Sequence, residues 1–247
     1  MSHKSHRSYV CVSRLRSALC AGLVYLVLIL PTVVLSDIII AEHDWDTEPA
    51  SGVGNWASQD GNAAVTENVG GGVGGTDSLQ ISFPGGIDPG PGAQWYDTVS
   101  TPSDDLFAGT WITDYWVEFD FWAEDVVPAT LQIRWGVDGG NTWGNTIDTS
   151  GVGIGSWGSL RTDSFSDFTD WKIDPFATSE QFLTDLGSID WIGVYIFRDG
   201  TAAELYGVDN FKLMVPEPAE YLLLFAALGT ALVAMRRKNN YLAVVEA

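Results

Sequence analysis

Two carboxylates with a spacing that suits chemistry lie in the segment YWVEFDFWAED. Glu118 and Asp120 are two residues apart, so on a β-strand their side chains share one face at a separation of about 7 Å. A carboxylate pair of this kind can supply the acid and base of glycoside hydrolysis. Trp116 and Trp122 flank the pair on the same face, so this face also suits sugar binding. A simply solvated strand face is the plainer interpretation.

A second segment, ATLQIRWGVDGG, adds an amide and a guanidinium group. Sugars present apolar C–H faces that stack on tryptophan, and hydroxyls that bond to carboxylates and amides. If the two strands are neighbours, one surface combines all of these groups, and we predict a glycan-binding face made of Trp116, Glu118, Asp120, Trp122, Gln132 and Arg134. Two other tryptophans, Trp135 and Trp191, are predicted to pack within the protein rather than to contact a ligand.

Most other catalytic chemistry has little support. After residue 36 the chain has a single histidine, His43, which leaves Ser-His-Asp and multi-histidine metal sites without their side chains. The glycine runs at 70–75 and 85–92 lack a following Lys-Ser/Thr and open no predicted helix, so they are interpreted as turns rather than phosphate-binding loops. A non-enzymatic role is therefore favoured.

These side chains are positioned by segments that alternate apolar and polar residues, the pattern of a strand with one face in a core. The alternation occurs in SLQISF at 78–83, in WVEFDFWA at 116–123 and in TLQIRWGV at 130–137. The segment DWIGVYIFRDG is apolar on both faces, which predicts a strand at the centre of its sheet. One helix is predicted at Ser179–Leu186, with Thr178 before it and Gln181 in its first turn as a capping box.

Turn-forming segments such as GGVGGTD, VDGGN and RDG separate the predicted strands. Many short strands with little helix predict an all-β fold, a single β-sandwich over residues 37–213. About 177 residues are enough to bury one substantial core.

The charge of this region is strongly negative. Four of the 12 lysines and arginines precede residue 37 and three follow residue 213, whereas only three of the 32 acidic residues lie outside these limits. Residues 37–213 therefore carry a formal net charge of −24. Such a surface repels nucleic acid and anionic lipid headgroups, which excludes DNA or RNA as a partner.

The first 36 residues have the organisation of a secretory signal peptide. Four basic residues precede an apolar run from Ala21 to Leu35, and small residues at the end of that run predict cleavage after Ser36. An uncleaved N-terminal anchor is the alternative, disfavoured because the run is short and contains Pro31. Both cysteines, Cys11 and Cys20, lie in this leader, so the mature chain has no disulfide and no thiolate metal site.

The C-terminus contains VPEPAEYLLLFAALGTALVAMRRKNN, residues 215–240. Its apolar run from Tyr221 to Met235 is shorter than the ~20 residues of an ordinary spanning helix. Snorkelling of the following basic side chains lets a transmembrane helix over 219–235 cross or nearly cross a bilayer. The basic triplet Arg236, Arg237 and Lys238 predicts a cytoplasmic end for that helix, with the sandwich outside.

Three ordered elements of this tail resemble the PEP-CTERM sorting signal of Gram-negative bacteria. They are Pro216-Glu217-Pro218, the apolar helix and Arg236-Arg237-Lys238, spread over 214–240 and followed by a short tail at 241–247. The resemblance implies recognition by an exosortase at the inner membrane, cleavage near the Pro-Glu-Pro, and delivery to the cell surface or an extracellular polysaccharide matrix. The two prolines keep that site extended, as a protease-like cleft requires.

The central region resembles jelly rolls of the galactose-binding-like and carbohydrate-binding-module type. The residues that carry the resemblance are EHDWDTEPASGVGNW, the glycine-rich loop that leads into SLQISF, and the final IDWIGVYIFRDGTAAELYGVDNFKL. The resemblance implies a structural Ca²⁺ held by Asp209 of the last strand together with acidic residues near the start, of which Glu42, Asp44 and Asp46 are the candidates. A turn-capping role for Asp209 is an equal alternative.

These observations predict an exported, non-enzymatic β-sandwich that is structural or glycan-associated in an exopolysaccharide layer. The alternatives are a weak glycan hydrolase or lyase on the same sandwich, with Glu118 and Asp120 as its carboxylates, and a structural surface protein without a ligand.

Overall fold

The computed structural model describes residues 37–46, 53–85, 95–198, 200 and 202–216. The predicted leader, the span 219–235 and the tail 241–247 lie outside the described residues. Eleven strands are formed within the described ranges: β1 Ile38–His43, β2 Ala57–Ser58, β3 Ala64–Asn68, β4 Ser78–Phe83, β5 Trp95–Ser100, β6 Trp116–Ala123, β7 Thr130–Gly136, β8 Thr142–Thr146, β9 Gly158–Arg161, β10 Trp191–Arg198 and β11 Glu204–Val215. One α-helix, α1, spans Ser179–Leu186, and short 3₁₀ turns occur at Val73–Gly75 and Phe168–Trp171.

The strands form two antiparallel sheets, which confirms the predicted all-β sandwich. In the described residues, the six-stranded sheet has the order β3-β4-β11-β6-β9, and β1 also pairs with β11. The long strand β11 pairs with β4 through Glu204–Val208 and with β1 through Phe211–Val215, so one strand holds two neighbours along the same edge. The five-stranded sheet has the order β2-β5-β10-β7-β8.

The core lies between the two sheets and is built by the predicted alternation. Val117, Phe119 and Phe121 of β6 point inward from one sheet, and Ile133 and Trp135 of β7 point inward from the other, each at most 1% exposed. Burying an aliphatic or aromatic side chain of this size stabilises the fold by about 1.5–3 kcal/mol. The packing role predicted for Trp135 is confirmed.

Helix α1 has the predicted bounds. The Thr178 hydroxyl accepts a hydrogen bond from the Gln181 amide, and the Gln181 side chain accepts one from the Thr178 amide. This capping box satisfies two amides that the first helical turn would otherwise leave unpaired. Phe182 packs the helix against the core, and its ring centroid lies 5.0 Å from that of Trp143.

His43 lies inside the sandwich rather than on its surface. Its side chain is 2% exposed, and its Nε2 donates to Asp105 Oδ2 at 3.0 Å. The rings of Trp45, Trp56 and Phe107 surround it at centroid distances of 5.4–6.1 Å. The imidazole therefore ties β1 to the loop after β5 in an aromatic environment.

Candidate functional site

The structure divides the predicted glycan-binding residues between two faces. Trp116, Glu118, Asp120 and Trp122 lie on the outer face of the six-stranded sheet, here called the six-stranded face. Gln132 and Arg134 lie on the outer face of the other sheet, here called the five-stranded face. The prediction of one combined surface is wrong, because the chain crosses from one sheet to the other between β6 and β7.

The six-stranded face carries a row of alternating charges. Glu42, Lys212, Glu118 and Arg161 stand opposite one another on β1, β11, β6 and β9. Lys212 Nζ lies 2.8 Å from Glu42 Oε1. Opposite charges at directly paired positions stabilise a sheet by roughly 0.2–1 kcal/mol per pair. The carboxylate of Glu118 is thus part of a cross-strand electrostatic arrangement.

The tryptophans of this face are engaged within the protein. Trp116 is 5% exposed, and its Nε1 donates to Glu118 Oε1 at 2.8 Å. The guanidinium carbon of Arg161 lies 5.0 Å from the centroid of the Trp116 ring. Trp116 therefore presents almost no ring surface to a ligand, contrary to its predicted role in sugar stacking.

Asp120 and Trp122 lie beside a further internal contact. Asp120 Oδ2 accepts a hydrogen bond from Asn210 Nδ2 at 2.8 Å. Trp122 stands opposite Gly207, where an added methyl group would come within 2.7 Å of the Trp157 ring. Gly207 thus lets Trp157 lie against the sheet next to Trp122, and the Asp120 carboxylate is hydrogen-bonded within the same face.

The five-stranded face carries aromatic rings beside polar side chains. Trp191, Tyr195 and Phe197 of β10 point outward and are half-buried, and Tyr96 of β5 is 40% exposed. The Tyr96 and Tyr195 ring centroids are 6.0 Å apart. Together these rings provide an aromatic surface for stacking.

Arg134 and Tyr195 form the centre of this face. The guanidinium carbon of Arg134 lies 3.3 Å from the centroid of the Tyr195 ring. Arg134 Nε donates to Gln132 Oε1 at 2.9 Å, and Gln132 Nε2 donates to Thr146 Oγ1 at 3.0 Å. This chain of hydrogen bonds fixes the guanidinium plane against the Tyr195 ring.

The ionisation of the two groups follows from their burial. Burial lowers the pKa of Arg134, although Tyr195 and Asp60 act in the opposite direction. Burial also raises the pKa of Tyr195, against the effect of the adjacent guanidinium. Arginine has so high an ordinary pKa that Arg134 remains a cation near pH 7, and Tyr195 remains a neutral hydroxyl. The face therefore presents hydrogen-bond donors next to an aromatic ring.

Trp191 and Tyr195 stand on the same face of β10, separated by four positions, about 13 Å along the strand. Gly193 lies between them, and β5 approaches so closely there that an added methyl group would come within 2.5 Å of the Val99 carbonyl oxygen. Rings spaced along a strand in this way suit the flat, partly apolar faces of a sugar polymer.

The sequence analysis missed the aromatic residues of this site: Tyr96, Trp191, Tyr195 and Phe197. The signal that could have found three of them was the apolar character of β10 on both faces. That signal correctly predicted a central strand, since β10 pairs with both β5 and β7. The Trp191 ring packs over Gly136, and it does so on the outer face of the sheet.

The predicted calcium ligands lie around the loop of residues 70–77. Asp209 is 0% exposed, and its Oδ2 accepts from the Val73 amide at 2.8 Å and from Thr76 Oγ1 at 3.0 Å. Its Oδ1 accepts from the Asn210 amide at 2.7 Å. Asp46 Oδ1 accepts from the Asp77 amide at 2.7 Å, on the same loop.

These donors make Asp209 the cap of a glycine-rich turn. Its carboxylate is met by N–H and O–H groups, which are the partners of an anion rather than co-ligands of a cation. In the described part of the chain, no three His, Cys, Asp or Glu side chains come together as a metal-binding group. The calcium site with Asp44 and Asp46 stays a prediction.

The predicted sorting signal lies almost wholly outside the described residues. Pro216 is the last described residue, and Glu217, Pro218, Arg236, Arg237 and Lys238 follow it. Among the described helices, none has the length and apolar character needed to span a bilayer.

The sequence matches no protein-family model and no curated protein. The structure is similar to a family 11 carbohydrate-binding module from Clostridium thermocellum in complex with a mixed-linked tetrasaccharide, at a TM-score of 0.45 and 20% identity over 74% of this chain and 97% of that one. It is also similar to the CBM22-1 xylan-binding domain of Paenibacillus barcinonensis Xyn10C, at a TM-score of 0.42 and 16% identity over 75% and 99% of the two chains.

A third similar structure is an exo-beta-agarase, at a TM-score of 0.48 and 14% identity. The match covers 73% of this chain and only 25% of the agarase chain. These neighbours include β-sandwich carbohydrate-binding modules. At such scores and identities, the function of this chain has to be argued from its own side chains.

Proposed function

We propose that this chain is a non-catalytic polysaccharide-binding protein whose ligand lies on the five-stranded face. The observation that carries the proposal is the stack of Arg134 on Tyr195, held in place by Gln132 and adjoined by Tyr96. Rings of this kind stack on the C–H faces of sugars, while a fixed guanidinium group donates to neighbouring hydroxyls. On the six-stranded face, by comparison, Trp116 is only 5% exposed.

The charge of the domain favours a neutral polymer. Residues 37–213 carry a formal net charge of −24, which repels polysaccharides rich in carboxylates or sulfates. Arg134 is the one cation at the centre of the face, and Asp60 contributes to its electrostatic environment. A neutral glycan gains the stacking and the hydrogen bonds without crossing an electrostatic barrier.

Export and sorting belong to the same proposal. The leader of residues 1–36 supports export, and the ordered elements at 214–240 support recognition by an exosortase. The chain would then be anchored at the inner membrane by the helix at 219–235 and later transferred to the cell surface or an exopolysaccharide matrix. A glycan-binding face has a function in that place, because the ligand is the matrix itself.

The enzyme alternative is less well supported by the carboxylates that suggested it. Glu118 accepts a hydrogen bond from Trp116 and lies in the charge row, and Asp120 accepts one from Asn210. Both carboxylates are thus engaged with side chains of their own face. A measured glycan turnover that Glu118→Gln abolishes would support this alternative over the binding role.

The proposal is tested by retention of the full chain, purified in detergent, on immobilised polysaccharides. The set should include neutral β-glucan, xylan and galactan, the matrix of the organism that makes the protein, and alginate as an anionic comparison. We expect retention on at least one neutral polymer and none on alginate. Passage through every column would favour the structural protein without a ligand.

A further inference from the structure

Three consecutive isoleucines at the start of β1 form an exposed apolar edge. Ile38, Ile39 and Ile40 are 40%, 45% and 48% exposed, and here they are called the isoleucine edge. Single exposed apolar residues are common, but three in succession on an edge strand are normally avoided because they invite association. Among the described residues, no other run of three exposed large apolar side chains occurs.

The isoleucine edge lies where the chain leaves the sandwich. Ile38 pairs with Val215 and Ile39 with Met214, so the first and last described strands end side by side. The pairing of β1 with β11 leaves the other edge of β1 without a strand partner in the described part of the chain. The entry and exit points of the domain are therefore next to this apolar strand.

The length of chain that follows places a limit on how far this end can stand from a bilayer. Two residues separate Pro216 from Ala219, where the predicted span begins. A peptide link of three Cα–Cα steps reaches at most about 11 Å. If the helix over 219–235 is inserted, Pro216 stands within that distance of its start, and the isoleucine edge is beside Pro216.

We propose that the isoleucine edge is a membrane-contact surface that enters the interfacial layer of the bilayer while the chain is anchored by its C-terminal helix. This proposal rests on the predicted anchor and is independent of glycan binding. Interfacial binding increases with the apolar area that is buried, which three isoleucines supply.

The depth of this contact follows from the backbone. A strand edge carries amide and carbonyl groups that need water or headgroup partners, so it cannot sit in the hydrocarbon centre. The boundary between headgroups and acyl chains provides an apolar environment for the isoleucine side chains and hydrogen-bond partners for the backbone groups of the free edge. Glu42 of β1 is paired with Lys212 at 2.8 Å, but the exposed Asp37 directly precedes Ile38, so charge does not favour anionic headgroups and the contact depends on the apolar area of the isoleucines.

The test uses single-cysteine labels on the full chain with Cys11→Ser and Cys20→Ser. An environment-sensitive fluorophore is placed at Ile39→Cys, and the matched control carries it at Ala64→Cys. Both sites are exposed positions of the same sheet. Ile39 pairs directly with Met214 of β11, and Ala64 is in register with Leu205 of β11 through Ser82 of β4, so the two labels lie about 30 Å apart along the strand. The chain is reconstituted in vesicles of phosphatidylethanolamine and phosphatidylglycerol, with nitroxide lipids as quenchers.

We expect a several-fold larger loss of fluorescence at Ile39→Cys than at Ala64→Cys, and stronger quenching by a shallow nitroxide than by a deep one. Equal quenching at both sites in a chain that floats with the vesicles would overturn the contact while leaving the anchor intact. A chain that does not float would overturn the anchor and the contact together. Shielding of the Ile39 label in detergent, with a dimer in sedimentation, would identify a second copy as the occupant instead.

Discussion

The guanidinium carbon of Arg134 lies 3.3 Å from the centroid of the Tyr195 ring, so a cation of β7 is stacked on an aromatic side chain of β10. The strands are directly paired, with Gln132 opposite Tyr195. The stack is therefore set by sheet register rather than by a mobile loop. Such a rigid arrangement suits recognition, because little side-chain entropy is lost when a ligand binds.

Arg134→Lys should weaken glycan binding roughly 5-fold, about 1 kcal/mol, because an ammonium group has no plane to stack on the ring and fewer donors. Isothermal titration calorimetry with the retained polysaccharide measures the change. Arg161→Lys is the matched control, since that arginine lies over Trp116 on the other face. Equal weakening by both substitutions would contradict the assignment of the ligand to the five-stranded face.

The alternation of apolar and polar residues correctly predicted which side chains point inward, but it could not predict which strands are neighbours in a sheet. At 116–123 and 130–137 it separated inward from outward residues correctly in both strands. It carried no information on which sheet each strand joins, so Gln132 and Arg134 were placed beside Glu118 although they lie on the opposite face.

The aromatic face illustrates a second limit of the sequence. An outward tryptophan or tyrosine on a central strand has the same residue type as an inward one. Trp135 and Trp191 were both assigned to packing, and the structure places Trp135 in the core and Trp191 over Gly136 on the outer face. The helix α1 was predicted correctly because its capping box is a local signal.

Tyr206→Phe should leave the free energy of unfolding at neutral pH unchanged or raise it. The Tyr206 hydroxyl is buried, and no hydrogen-bond partner lies within its reach among the described residues. Removing a buried polar group without a partner removes a desolvation cost of about 1–3 kcal/mol. Urea denaturation followed by tryptophan fluorescence measures the difference. Tyr115→Phe, at a partly buried tyrosine, is the control.

The same substitution should change the alkaline pH dependence. Burial raises the pKa of Tyr206 from 10.0 to about 12, with Glu204 adding to the effect. Between these values the unfolded chain releases the phenolic proton and the folded chain retains it, so stability falls as pH rises. The loss should be smaller in Tyr206→Phe between pH 10 and 12. An unchanged slope there would contradict the burial of this hydroxyl.

Asp209→Ala should destabilise the sandwich by about 1–3 kcal/mol, because it leaves the donors of the 70–77 loop without their acceptor. Asp148→Ala is the control, since Asp148 also accepts a backbone bond, from Ser150, but lies at the surface. Thermal unfolding measures both variants. An equal loss of stability in the two variants would mean that the buried cap stabilises the fold no more than a surface hydrogen bond does.

The proposed calcium site gives a separate outcome in the same experiment. Burial raises the pKa of Asp209, against the hydrogen bonds from Val73, Asn210 and Thr76. Without a metal, this group contributes stability below its ordinary pKa and loses it as pH rises through the raised value. A bound Ca²⁺ would reverse that direction. A melting temperature raised by calcium and lowered by EDTA in the parent chain, but not in Asp209→Ala, would support the metal.

Phe182→Ala should lower the free energy of unfolding by about 3–5 kcal/mol, because the ring fills the space between α1 and two core tryptophans. Its centroid lies 5.0 Å from that of Trp143 and 5.5 Å from that of Trp135. Leu183→Ala, on the exposed side of the same helix, should change it by less than about 0.5 kcal/mol. Chemical denaturation of the two variants compares them directly, and equal losses would contradict the packing of α1.

The central claim is that glycan binding belongs to the five-stranded face, and the most direct test compares the dissociation constants of Tyr195→Ala and Trp122→Ala. Tyr195→Ala removes the ring beneath Arg134, and we expect a loss of about 2 kcal/mol, roughly 30-fold in affinity for the retained polysaccharide. Trp122→Ala, on the six-stranded face, should bind as the parent chain does. Unchanged binding by Tyr195→Ala together with lost binding by Trp122→Ala would contradict the claim and return the ligand to the opposite face.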